Sequence, residues 1–142
     1  TKFPVENGDA SNGSIVAFKV EDHDGRPALA PAWISANIPS PAPVVTAGGL
    51  AFALATGEPA LPSKANSKPY SEAEFRKAAT RATLYVLDGT TGNRLYASGD
   101  SVSGHARGSG LAIANGRIYF TTSDNVVYCF GFLKSQPQLT GR

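Results

Sequence analysis

The chain is 142 residues long, 42% hydrophobic and 17% charged, proportions of a globular chain of one-domain length rather than a disordered one. Its 13 basic and 11 acidic residues leave a formal charge of +2 with no basic block, which argues against nucleic acid or an anionic membrane surface as a partner. No apolar run approaches the roughly 20 residues that span a bilayer, and no signal-peptide pattern opens the chain.

In chain order, residues 14–20 and 29–35 are expected as two strands, joined by an enlarged turn through Asp22, His23, Asp24 and Gly25. Residues 42–47 and 50–55 form the next pair, turned by Gly48 and Gly49, which tolerate positive φ. Loop composition follows, with Pro59, Pro62, Ser63, Asn66 and Pro69. Ser71, with Glu74 three residues on, then makes a capping box that opens a helix from Glu72 to about Thr80. Residues 83–88, 94–98, 111–114, 117–122 and 126–131 complete the strands. Several are runs of β-branched and aromatic residues bounded by Gly, Asn and Asp, and Asn115–Gly116 is a strong two-residue hairpin signal. Cys129, the single cysteine, has no partner for a disulfide, zinc or haem motif, and is expected as a small apolar residue in a buried strand.

Several of these segments are the same unit repeated. Residues 83–88 (TLYVLD) correspond to 14–19 (SIVAFK) and to 126–131 (VVYCFG), and residues 45–52 match 112–119. Repeated hairpins at this spacing mean a solenoid or propeller array, because one unit cannot bury its apolar face alone. The layout is all-β, with antiparallel four-stranded propeller blades, about three of them, making a partial propeller with one short helical insertion. The chain then divides into a leader or linker over 1–13, the repeats over 14–132 and a tail over 133–142. Leu84 to Val127 spans about 43 residues, one blade, but Ile15 to Leu84 about 69, so an insertion over 57–82 separates the second and third strands of the middle blade. The last blade lacks an outer strand, and the chain has no Met. Both features are expected of the C-terminal part of a longer protein, or of a chain whose ring is completed by further copies.

The run Tyr85, Val86, Leu87, Asp88, Gly89, Thr90, Thr91, Gly92, Asn93, Arg94, Leu95, Tyr96 resembles the signature of the PQQ-like, or quinoprotein-type, β-propeller repeat. In that family it reads aromatic, Ala, Leu, Asp, two variable residues, Thr, Gly, Lys, two variable residues, Trp. Val86 departs from the Ala and Tyr96 from the Trp, whereas Trp33 holds the Trp position of the earlier copy. The resemblance implies a bacterial propeller, usually exported to the periplasm or beyond. It also implies structural roles for Asp88, Thr91, Gly92, Tyr96 and Trp33, with the Trp packed between neighbouring blades. Quinone chemistry does not follow from the fold, because function rests on a site.

On this layout one face carries the insertion and the crossings between blades. His105, Arg107, Asp100 and Asp124 belong to it, together with Tyr70, Arg76 and Arg81 from the insertion, which also supplies Lys64, Lys68 and Lys77. His105 is suited to a base or anion-contact role, although a lone loop histidine is more often simply solvated or hydrogen-bonded. The basic helix suits an acidic ligand or partner, or else is a solvated lid resting on Phe75, Ala78 and Ala79. Asp22, His23 and Asp24 resemble a metal cluster only superficially, since Asp and Gly are ordinary turn residues. Asp88 reads as a turn-capping carboxylate.

A quinone dehydrogenase needs a divalent metal on carboxylate and amide ligands, a carboxylate base and flat side chains around the cofactor. That set cannot be assembled from these residues, and no catalytic residue or metal ligand is assigned. The expected function is a noncatalytic binding or scaffold module with no cofactor in this chain, whose partners are the remaining blades, further copies, or a protein on the insertion face. One alternative is the C-terminal part of a PQQ- and calcium-dependent dehydrogenase that oxidises alcohols or sugars. Another is an assembly protein that joins through open blade edges.

Overall fold

The computed structural model describes residues 2–61, 63–64 and 67–131; the expected tail over 133–142 and the last residue of the repeat region lie outside them. Ten strands are described: β1 (Val5–Glu6), β2 (Val16–His23), β3 (Arg26–Ile34), β4 (Val45–Ala47), β5 (Leu50–Ala55), β6 (Thr83–Asp88), β7 (Arg94–Ala97), β8 (Ala112–Ala114), β9 (Arg117–Thr121) and β10 (Val127–Gly131), with one α-helix, α1 (Glu72–Ala78). They make three sheets, β1-β3-β2, β4-β5-β6-β7 and β10-β9-β8. All pairings are antiparallel except the parallel β1–β3 pair. The chain is thus mostly β, and the sheets do not close into a ring among the described residues.

Turn chemistry sets the hairpins. Gly48 and Gly49 (φ 58° and 77°) join β4 to β5, and Asn115 and Gly116 (50° and 68°) join β8 to β9, the left-handed pairs that match the twist of two-residue hairpins. The turn expected to be enlarged around His23 is instead tight, with only Asp24 and Gly25 at positive φ (57° and 79°). The surplus residues lengthen the strands, because His23 pairs with Arg26 and Asp22 with Pro27. Within the expected leader, β1 pairs with β3 at Val5↔Trp33, and the Asn7 side chain donates to Ile34 O (3.0 Å) and Thr91 O (2.9 Å).

The repeat recurs in hydrogen-bond detail. Ile15 N–H donates to the Ser35 hydroxyl and Leu84 N–H to the Ser98 hydroxyl, each at 3.0 Å. The serine N–H groups return to Ile15 O and Leu84 O, each at 2.9 Å. Each hairpin has its irregularity at the equivalent step, Ala17/Phe18 and Val86/Leu87, and Trp33 opposite Ala17 matches Tyr96 opposite Val86.

The middle sheet is covered on both faces, so β5 is a continuous apolar run rather than an alternating one. Ala51, Ala53 and Ala55 with Leu87 face the first sheet, against Ile15, Trp33 and Ile38. Phe52 and Leu54 with Leu84 and Val86 face the third, against Ile118 and Phe120. Trp33 is only 3% exposed and its indole N–H donates to Gly89 O at 3.0 Å. A Cβ on Gly92 (φ 73°) would sit 2.4 Å from the indole, so only glycine lets that ring settle on the turn. Asp88 holds the turn, its Oδ1 accepting from Thr90 N–H (2.9 Å), Thr91 N–H (2.8 Å) and the Thr91 hydroxyl (3.0 Å). These donors, Thr91 N–H foremost, hold its carboxyl below the usual range.

A further expectation is corrected. Cys129 is exposed: Tyr128 and Phe130 pack against the middle sheet, and strand alternation turns Cys129 and Val127 to the other side. Tyr96 keeps the register of Trp33 but is 44% exposed. It lines an apolar recess of about 310 Å³ with Leu95, Ile118 and Phe130.

Candidate functional site

Residues 99–109 and helix α1 build a polar surface that lines two recesses. A 3-10 turn over Gly99–Ser101 opens the segment, and Val102 and Ala106 anchor it, both fully buried. Ala106 N–H donates to Thr56 O (2.8 Å), Gly104 O accepts from Ala82 N–H (2.9 Å), and His105 O accepts from Ser123 N–H (2.8 Å). Ser103, Gly104 and His105 are therefore held between two sheets rather than displayed on a free loop.

His105 Nδ1 lies 2.9 Å from the Ser123 hydroxyl, and its ring meets Phe75 of α1 edge-on at 5.8 Å. The Arg107 guanidinium covers Phe75 at 4.5 Å, a cation–π contact, and reaches Glu58 at 3.8 Å. Asp124 accepts from the Thr122 hydroxyl in a short bond and from the Ser103 hydroxyl at 2.8 Å. The Thr122 bond, then the Ser103 bond, with a smaller part from His105, keeps its carboxyl below the usual range. A Cβ on Gly104 would lie 2.7 Å from that carboxylate. Asp124 is thus an ionised acceptor that ties two loops together, not a proton donor near neutrality.

Helix α1 forms as its cap dictates. The Ser71 hydroxyl accepts from Glu74 N–H (3.4 Å) and Glu74 Oε2 accepts from Ser71 N–H (2.9 Å), a reciprocal capping box. The helix stops at Ala78 rather than Thr80 because Ala79 is extended and Thr80 N–H donates to Gly57 O at 2.7 Å. No residue of α1 is fully buried; its hold on the sheets runs through Phe75.

The structure gathers most of the expected residues. Arg76, His105, Arg107 and Asp124 line one recess of about 300 Å³ with Phe75. Arg76, Arg81, Asp100 and His105 line a larger cleft of about 800 Å³. Tyr70 lies on the other side of Phe75, in a third recess with Arg107 and Glu58. Arg94 and Tyr85 belong to the large cleft although nothing in their spacing marked them, since both sit within the repeat signature. Ser103 and Ser123 were likewise invisible, because their partners Asp124 and His105 are distant in sequence.

Among the described residues no three metal-ligating side chains converge. Asp22 Oδ1 accepts from Gly25 N–H at 2.8 Å, the role of a turn residue. Asp124 accepts from two hydroxyl donors. Among the described residues no helix is long and apolar enough to cross a membrane. No family model, curated protein or solved structure matches the chain.

Proposed function

We propose that this chain is a PQQ-like β-propeller repeat segment serving as a noncatalytic binding or scaffold module of an exported bacterial protein. Its binding face is the one formed by α1 and residues 99–109. The observation that carries the repeat reading is Trp33, buried against the Gly89–Gly92 turn of the neighbouring sheet, with the serine-closed hairpins at Ser35 and Ser98 as its internal echo. The noncatalytic reading is supported by Asp124, whose two carboxylate oxygens each already accept from a hydroxyl, of Thr122 and of Ser103. A catalytic base needs a free lone pair near its substrate.

The test is dye-linked oxidation of ethanol and glucose after addition of PQQ and calcium. No dye reduction above a protein-free control is expected; saturable turnover would replace this reading with a dehydrogenase.

A further inference from the structure

We propose that the cleft between the end of α1 and the β6–β7 hairpin recognises a multivalent oxyanion, a ligand bearing two or more carboxylate, sulfate or phosphate groups. The proposal rests on the binding-module reading and names the chemistry of its ligand. The cleft, about 800 Å³, is lined by Arg76, Arg81 and Arg94, with Asp100 as its one acidic residue. Its walls thus hold a charge excess equal to the formal +2 of the whole chain. Clustering cations in a concave wall focuses the field and draws anions.

The cations are positioned yet available. Arg81 follows the Thr80–Gly57 bond, where the chain passes so close that a Cβ on Gly57 would lie 2.2 Å from Thr80 O. Arg94 stands on β7 with its guanidinium 5.8 Å above the Tyr85 ring, and no carboxylate pairs with it among the described residues. Arg81 meets Asp100 at 3.0 Å, but that carboxylate is 94% exposed, and Arg76 meets Glu72 at 2.6 Å in a pair equally open to water. Exposed pairs of this kind contribute little, so a ligand oxyanion can replace either carboxylate at low cost. Guanidinium groups bind oxyanions through two parallel N–H bonds, and cations already held in place lose less freedom on binding.

The experiment titrates the protein at low salt with fluorescein-labelled hexaglutamate and, separately, with inorganic triphosphate, following amide resonances in residues 76–105. Saturable binding is expected. Arg81→Ala and Arg94→Ala should each weaken it about tenfold, the effect of losing one charge-assisted bond, while Lys19→Ala, the same charge loss on β2, should leave it unchanged. Tighter hexaglutamate binding identifies a carboxylate ligand and tighter triphosphate binding a phosphoryl one; either supports the site. Absence of saturable binding by both probes, or equal weakening by Lys19→Ala, overturns it. Circular dichroism melts confirm that each variant is folded. If the cleft is silent and no dye is reduced, only the ligand class falls; dye reduction removes the parent reading itself.

Discussion

Replacing Trp33 by alanine removes the ring that lies between the first and second sheets. The side chain is 3% exposed, makes one hydrogen bond to Gly89 O, and is seated against Gly92. A buried tryptophan truncated to alanine costs about 3–5 kcal/mol, and the abandoned carbonyl of Gly89, an exposed residue, adds little because water can replace the indole N–H. For a chain of this size that lowers Tm by about 10–20 °C. The assay is urea unfolding followed by far-UV circular dichroism, because Trp33 is the only tryptophan and its fluorescence disappears with it. Trp33→Phe keeps a ring without the N–H and should cost about 1–2 kcal/mol. Gly92→Ala should destabilise for two reasons, a positive φ costing roughly 1–2 kcal/mol and a collision with the indole. The Trp33→Ala, Gly92→Ala double variant should therefore lose less than the sum of the singles, by at least about 1 kcal/mol. A change within about 0.5 kcal/mol for Trp33→Ala, or strict additivity in the double variant, would refute the packing argument.

Ser35→Ala and Ser98→Ala each strand a buried N–H, on Ile15 and Leu84 respectively, and should cost a similar 1–3 kcal/mol or so apiece; a large difference between them in urea titrations would deny that the two hairpins are equivalent. Glu74 has its pKa lowered from 4.5 to about 2, first by the Lys64 side chain and then by Ser71. Its contribution to folding is therefore present above its unfolded value and disappears as pH falls through about 2, so Lys64→Ala should raise the Glu74 carboxyl pKa toward 4.5 in an NMR titration. Replacing residues 58–79 with a short Gly-Ser link should abolish the helical signal while leaving a cooperative melt, since Gly57 and Thr80 are already hydrogen-bonded and α1 has no fully buried residue; a broad, non-cooperative melt would show that the insertion belongs to the core.

Sequence alone determined what depends on chemistry within a few residues. The Asn115–Gly116 and Gly48–Gly49 turns, the Ser71–Glu74 capping box and the Asp88 turn were legible because φ preference and short-range hydrogen bonding act locally. The buried place of Trp33 was legible through the repeat, since one unit cannot cover its own apolar face. Tertiary structure decided the rest. Whether Cys129 faced core or water depended on which side of β10 met the middle sheet, and alternation offers both. The surplus residues around His23 could have widened a turn or lengthened two strands, and only the β2–β3 register chose between them. The docking of Phe75 between His105 and Arg107, and the gathering of Arg76, Arg81 and Arg94 around one cleft, join segments far apart in the chain. Such contacts leave no local mark because each partner alone is an ordinary exposed residue, and only packing the sheets brings their charges and rings within reach.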